Sequence, residues 1–352
     1  MSCEPLLPPS LERRKFVTRG MATSGLIALA TTGFRAVGPA RAQAKPYRID
    51  VHHHIAPPTY VTEIAGRHLI QPPTRDWTPS RSIEDMDRAG VAISITSVTT
   101  PGLSFADVNL ARRLARECNE YAAKLATDYP GRFGTFALLP LPDIDGSLAE
   151  LAHALDVLKA DGISLFTSYG NKWLGDPSFA PVMDELNRRG AVVYTHPRTA
   201  DCCRNLIPGV PEPIIEYGTD TTRTIASLVF SGGANKYHNA NFIFSHAGGT
   251  LPFLTERFVR LPMLDKSLQV RVPEGVLAEL KRFYYDTAQA AHPMALASLL
   301  KLVPVSQVVF GTDFPFRTSI DHVNGLHEFG LSESELRAIE RENAIRLLPR
   351  YA

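Results

Sequence analysis

From residue 48 onward, short runs of β-branched and aromatic residues alternate with stretches whose apolar positions recur at helical spacing. The runs predict strands at Arg48–His54, Val91–Val98, Phe133–Leu139, Ile163–Ser168, Val192–His196, Asn241–His246, Phe283–Asp286 and Val308–Asp313. Helical patterns fall between them, most clearly at Ala106–Asp128, Ser147–Lys159 and Ser332–Leu348. Gly90, Pro130-Gly131, Gly162 and Gly190 each stand just before a strand, where a chain reversal is needed. Eight β-α units in about 300 residues predict a (β/α)₈ TIM barrel. An open doubly wound sheet is the rival, but no G-x-G-x-x-G follows the first strand. The Pro-rich segment Ile55–Pro79 is expected to cover the barrel mouth.

The start of the chain breaks this alternation. Arg13-Arg14, with Phe16 two positions on, precede an uncharged stretch, Gly20–Phe34, and then Ala42-Gln43-Ala44. Charged region, apolar region and small-x-small site in that order predict a secretory signal, and the arginine pair resembles a twin-arginine signal. We therefore expect residues 1–44 to be a signal peptide, residues 45–352 the barrel domain, and the mature protein to be periplasmic. The apolar stretch is too short, and too rich in Gly, Ala, Ser and Thr, to predict a membrane span.

Charge narrows the partners. The whole chain carries 37 basic and 36 acidic residues. Six basic and two acidic residues lie in the first 44, so the remainder is slightly acidic. No basic field exists to displace counterions from nucleic acid. Cys118, Cys202 and Cys203 remain after the signal, with no metal-binding spacing and no disulfide framework. Adjacent Cys202 and Cys203 read as two ordinary thiols.

In a barrel, chemistry collects where strands end at the C-terminal face. Strand 1 ends His52-His53-His54, strand 5 at His196, strand 6 at His246 and strand 8 at Asp313. Side chains alternate along a strand, so His52 and His54 share a face and can grip one cation. Nitrogen and oxygen donors without a thiolate suit Zn²⁺, with Mn²⁺ as the alternative. Three histidines and an aspartate leave positions open for a substrate, as catalytic sites do. Arg198 and Arg317, just after the strand 5 and strand 8 motifs, could contact anionic oxygens. Trp77, Tyr169, Trp173, Phe314 and Phe316 lie on loops after strands 1, 4 and 8 and are candidate pocket walls.

At these residues the chain resembles the amidohydrolase superfamily, in the branch of aminocarboxymuconate-semialdehyde decarboxylase. IDVHHHIAPP (49–58), YTHP (194–197), FSHAGGTLPFLTERF (244–258), FYYDTA (283–288) and FGTDFPF (310–316) carry the likeness in the family's order. Within the branch the likeness is strongest to bacterial proteins of the 6-methylsalicylate decarboxylase type. The resemblance implies His52, His54, His196 and Asp313 as ligands of one divalent metal, and His246 as the catalytic histidine beside it. It implies that Arg257 serves a neighbouring subunit's site, and hence a homodimer. Strand 4 ends Phe166-Thr167-Ser168, without the lysine of the superfamily's binuclear hydrolases, which favours one metal. Arg75 lies near the family's substrate-binding arginine, but two residues off register relative to Trp77.

The reaction expected first is non-oxidative decarboxylation of a small aromatic or enoic acid with a hydroxyl beside the carboxylate. Asp313 or His246 would supply the proton, and Arg257, Arg198 and Trp173 would contact the substrate. The runner-up is mononuclear hydrolysis of a lactone, ester or amide, with Asp313 as base. A metal or ligand binder without turnover is the third class; a proton-transfer histidine beside an open metal argues against it.

Overall fold

The computed structural model describes residues 46–352; the expected signal, residues 1–44, lies outside the described residues. Eight parallel strands form one sheet in chain order: β1 (Arg48–Ile55), β2 (Val91–Val98), β3 (Phe133–Leu138), β4 (Gly162–Phe166), β5 (Val192–His196), β6 (Asn241–Phe244), β7 (Tyr284–Asp286) and β8 (Val308–Val309). The sheet curls until its last strand meets its first. Val51 N–H donates to Phe310 O (2.9 Å), Asp313 N–H to His52 O (2.8 Å) and His54 N–H to Phe314 O (2.8 Å). The result is the expected TIM barrel.

Helices pack outside the strands: α1 (Pro79–Ala89), α2 (Val108–Asp128), α3 (Ile144–Ala152), α4 (Ala180–Arg188), α5 (Glu216–Ser231), α6 (Leu251–Leu264), α7 (Pro293–Leu302) and α8 (Ser319–Phe329). Their ends follow local chemistry. Thr78, Asp107 and Thr318 each accept a backbone N–H of the first turn of α1, α2 and α8. Gly90 and Gly330 end α1 and α8 in the left-handed conformation (φ 65° and 85°), which glycine adopts without strain. The apolar stripes of these helices bury Met86, Leu114, Leu186, Leu228 and Leu326 against the strands. Each such leucine contributes roughly 1.5–3 kcal/mol by leaving water. A separate cluster of strand side chains, including Ile49, Val51, Phe136, Tyr194 and Ile243, is joined by Ala344, Leu347 and Leu348.

Several boundaries differ from expectation. The strand expected at Val308–Asp313 is regular only to Val309: Phe310 N–H leaves the sheet and donates to Ile339 O (3.0 Å), and Asp313 then turns to φ 61°. The strand expected to run to Ser168 stops at Phe166; Ser168–Tyr169 pairs instead with Lys172–Trp173 in a small antiparallel hairpin. The helix expected at Ser332–Leu348 is interrupted by a π-turn at Ala338–Glu342. The segment expected to cover the mouth folds into short helices, Pro58–Ala65 and Pro72–Arg75, with Gln71 between them facing the pocket. No helix among the described residues is long and apolar enough to cross a membrane.

Candidate metal centre and pocket

The C-terminal ends of β1, β5, β6 and β8 bring His52, His54, His196, His246 and Asp313 together. Ligand atoms of His52, His196, His246 and Asp313 lie within 4.8 Å of one another. His54 Nε2 lies 3.1 Å from both His52 Nε2 and Asp313 Oδ1, so it faces the same point. His52 Nε2 is 3.3 Å from Asp313 Oδ1, and His246 Nε2 is 3.5 Å from Asp313 Oδ2. His246 therefore stands within ligand reach as well as beside the set. A two-residue spacing on a strand placed His52 and His54 correctly, although a register shift between Asp50 and His53 accompanies it.

Outer contacts fix which nitrogen faces the centre. His52 Nδ1 donates to Asp286 Oδ2 (2.7 Å) and His196 Nδ1 to Pro197 O (2.8 Å). His54 Nδ1 meets Ser97 Oγ at 3.2 Å. With Nδ1 engaged in donating to a carboxylate or a carbonyl, the unprotonated Nε2 of His52 and of His196 presents a lone pair inward. Asp313 Oδ1 and His246 Nε2 are buried and find no hydrogen-bond partner. Lone pairs converging on an unpaired carboxylate oxygen repel one another unless a cation sits between them. The donor set thus fits a divalent ion.

Electrostatics agree with that fit. Burial pushes His54 below its ordinary value, and pushes His196 well below, with the neighbouring histidines adding to it. Burial also opposes charge on His52, but Asp286 and Asp313 outweigh it and raise that imidazole to about 10. Asp313 is buried, yet His52, His246 and His54 hold its carboxyl well below the usual range. Metal binding requires deprotonated ligands, so a cation here displaces the His52 proton.

Asp286 was not singled out as a site residue from the sequence, although FYYDTA contains it. Its carboxylate also accepts His246 N–H (2.8 Å) and Ala288 N–H (3.0 Å), so one side chain ties β1, β6 and β7 to the site. Gln289, at φ 55°, donates its amide to Asp313 Oδ2 (2.8 Å). His246 and Ala247 also lie at positive φ (54° and 55°), in a turn where Gly249 packs on the Gly218 backbone too closely for a side chain. Non-glycine residues held this way mark positions that the surroundings over-determine. His53 points away, between Asp50 (3.2 Å) and Ser82 (2.8 Å), stacked on Phe314.

A pocket of about 380 Å³ opens on the centre. Its walls include Gln71, Thr100, Tyr217, Gln289 and Phe316 beside His196, His246 and Asp313. Of the five aromatic candidates, Phe316 alone is among these walls. Trp173 instead donates its indole N–H to Asp220 (2.6 Å), Trp77 donates to Ser82 (2.9 Å), and the Tyr169 hydroxyl accepts Phe166 N–H (3.0 Å). Loop position alone did not reveal which rings had hydrogen-bonding anchors of their own. Arg198 lines an adjoining chamber rather than this pocket. Arg317 is exposed, and Arg257 is exposed on α6. Arg75 pairs with Asp76 on the surface (2.9 Å). Cys118, Cys202 and Cys203 are free thiols.

Residues 49–350 match the family model described as Amidohydrolase. The decarboxylase yanB of Aspergillus niger is 39% identical over 329 residues, covering 86% of this chain and 88% of that protein. The 6-methylsalicylic acid decarboxylase of Penicillium expansum is 36% identical, covering 86% and 96%. Among solved structures, an amidohydrolase II is 29% identical with a TM-score of 0.79, covering 86% of this chain and 99% of that one. A dihydroxybenzoic acid decarboxylase from Polaromonas with bound manganese shares the fold at 21% identity and a TM-score of 0.73, covering 87% and 98%.

Proposed function

This chain belongs to the amidohydrolase family, and from that premise we propose that it is a metal-dependent decarboxylase of small aromatic acids bearing a hydroxyl beside the carboxylate, such as 6-methylsalicylate-like hydroxybenzoates. The observation that carries this reading is the convergence of imidazole Nε2 atoms and Asp313 Oδ1 on one wall of a pocket. His52, His54, His196 and Asp313 would hold one ion, Zn²⁺ by donor type, with Mn²⁺ as the alternative. When bound, such an ion acts as a Lewis acid toward the carboxylate and its neighbouring oxygen.

The chain's own residues do the rest. Phe316, Tyr217, Thr100 and Gln71 confine a single ring against the centre. Gln289 fixes Asp313 Oδ2, 3.5 Å from His246 Nε2, so the two proton-handling groups stand together at the pocket wall. One of them delivers a proton to the ring carbon bearing the carboxylate. The carbon–carboxylate bond then breaks, its electron pair returns to the ring π system and restores aromaticity, and CO₂ leaves. The overall change, ArCO₂⁻ plus H⁺ to ArH plus CO₂, needs no oxidant.

The end of β4 argues against binuclear hydrolysis and leaves a mononuclear hydrolase as the alternative. Thr167 and Ser168 give their hydroxyls to Asp220, and no lysine is present to bridge a second metal. Assays of CO₂ release and of ring-opening on hydroxybenzoates and lactones separate the two readings. Hydrolysis without CO₂ release overturns ours. Metal analysis should find about one ion per chain; two per chain, or full activity after chelation, would contradict it.

The reading also includes a homodimer. Arg257 is exposed on α6, whose surface also exposes Phe253 (89%), Met263 (68%) and Leu264 (77%). A guanidinium can recognise a carboxylate bidentately from a partner subunit. Mixing inactive Arg257→Ala and His246→Ala proteins should restore part of the activity through mixed dimers. No recovery after confirmed subunit exchange would remove Arg257 from the site. Export by the twin-arginine route rests on the sequence of residues 11–44; Arg13 and Arg14 changed to Lys should keep the protein inside the cell.

A further inference from the structure

Beside the metal pocket lies a second chamber of about 320 Å³. Gln71, Thr100 and Tyr217 belong to the walls of both. They form a hydrogen-bonded partition: Gln71 Nε2 donates to Thr100 Oγ1 (3.4 Å), which lies 3.1 Å from the Tyr217 hydroxyl. Arg198 lines the far side with Arg204, Thr199 and Ser104.

Arg198 is the unusual member. Its side chain is 9% exposed, and its one ion-pair contact is a marginal 3.4 Å approach to Asp201 Oδ1. That carboxylate is half exposed and is shared with Arg204 at 3.1 Å. A guanidinium carries five N–H donors in a fixed fork, so most of its capacity is unused. Burying such a group with only this one weak contact is costly, which makes it a receptor for an anion rather than a structural tie. Its backbone is pinned: Arg198 N–H donates to Thr167 Oγ1 (3.3 Å), and Thr167 donates to Asp220. The backbone from which the fork extends is therefore held in place.

We propose that this chamber is a carboxylate-binding subsite, in which Arg198, with Arg204 nearby, holds a second anionic group next to the ring bound at the metal pocket. Charge balance sets the class. Asp201 and Glu212 stand near the two arginines, so little surplus positive charge exists. A planar carboxylate can bind through paired N–H···O geometry; a dianionic phosphate would lack compensation. The carboxylate can belong to the substrate itself, making aromatic diacids the preferred ligands, or to a separate small acid bound beside a monoacid. The proposal rests on the metal pocket holding an aromatic acid, as proposed above.

Calorimetric titration of the metal-loaded protein tests it without requiring turnover. The probes are salicylate, 4-hydroxyisophthalate and acetate. The wild type should bind the diacid about tenfold more tightly than the monoacid, or should bind salicylate with an affinity that millimolar acetate alters. The first outcome assigns the carboxylate to the substrate and the second to a separate acid. Arg198→Gln should bring the diacid-to-monoacid ratio toward one and abolish the acetate effect, and Arg198→Lys should keep part of either. A charge-assisted pair of hydrogen bonds is worth this order of discrimination. Neither a diacid preference nor an acetate effect in the wild type overturns the proposal. So does equal weakening of both aromatic acids in Arg198→Gln, with Arg198→Lys no better. Binding as expected but no CO₂ release would instead overturn the decarboxylase reading and leave the subsite standing.

Discussion

Two stretches of the barrel's C-terminal rim both hold buried polar groups, yet they are built in opposite ways. At the ends of β1, β5, β6 and β8, Asp313 Oδ1 and His246 Nε2 are left without hydrogen-bond partners, aimed toward a common point. At the end of β4, Asp220 is buried too, but Thr167, Ser168 and Trp173 all donate to it. The first arrangement is unstable by itself and makes sense with an added cation and substrate. The second is complete and binds the hairpin after β4 to α5. Buried polarity alone therefore does not mark a site; buried polarity left unpaired does.

Breaking the first region should be severe in activity and mild in fold. His196→Ala removes an inward Nε2, and we expect metal content and CO₂ release to fall together toward background. Retained metal and turnover would exclude it from the ligand set. His246→Ala should keep the metal and lower kcat by roughly 10²-fold or more, as for the loss of an acid–base group. Because His246 Nε2 also lies within reach of the ligand cluster, metal analysis of this variant decides its role. Loss of metal as complete as in His196→Ala would make it a ligand.

Asp286→Asn should lower metal affinity by about 10–100-fold, as for other outer partners of ligating histidines, since it disturbs the acceptor that holds His52 Nδ1. Competition against a chelator of known affinity measures this. An unchanged affinity would mean that the backbone alone orients His52.

The completed region should respond the other way. Asp220→Ala strands three donors, costing roughly 1–3 kcal/mol of stability, while metal content stays near one per chain. A smaller effect is expected from pH. Burial raises the Asp220 carboxyl above its ordinary value despite its three donors. The folded protein then holds this proton to higher pH than the unfolded chain does. Its contribution favours folding on the acid side and is lost as pH climbs from the ordinary carboxylate value through the raised one. Asp220→Asn should flatten that part of the stability profile; an unchanged slope would assign it to other groups.

The cluster was legible in the sequence because strand alternation and strand ends are one-dimensional signals. Those rules sufficed to bring His52, His54, His196, His246 and Asp313 together, even though Asp313 lies beyond the last regular strand at φ 61°; the division into ligands and a catalytic histidine came from the family resemblance. Pocket walls were not legible in the same way. Trp173 was expected to touch the substrate, but its indole N–H found Asp220, 47 residues away. Tyr217 and Gln289, which do line the pocket, occur on a helix and a turn with no local chemical signature. Asp286 was visible as part of a motif, but its role depends on partners 234 and 40 residues distant. Hydrogen-bond partners across the fold are what a linear pattern leaves open.

The seam where the barrel shuts runs through the candidate metal centre itself. His52 and Thr312 meet across 260 residues of chain, and the amides of His54 and Asp313 complete the junction between the first strand and the last. Until the C-terminal β-strand has been made and docked, His52 and His54 have no Asp313 to face. A ribosome must therefore deliver almost the whole polypeptide before this cluster can assemble. The same junction makes a poor place to cut or permute the gene, because new termini there would open the cylinder and divide the histidine–aspartate cluster in one stroke.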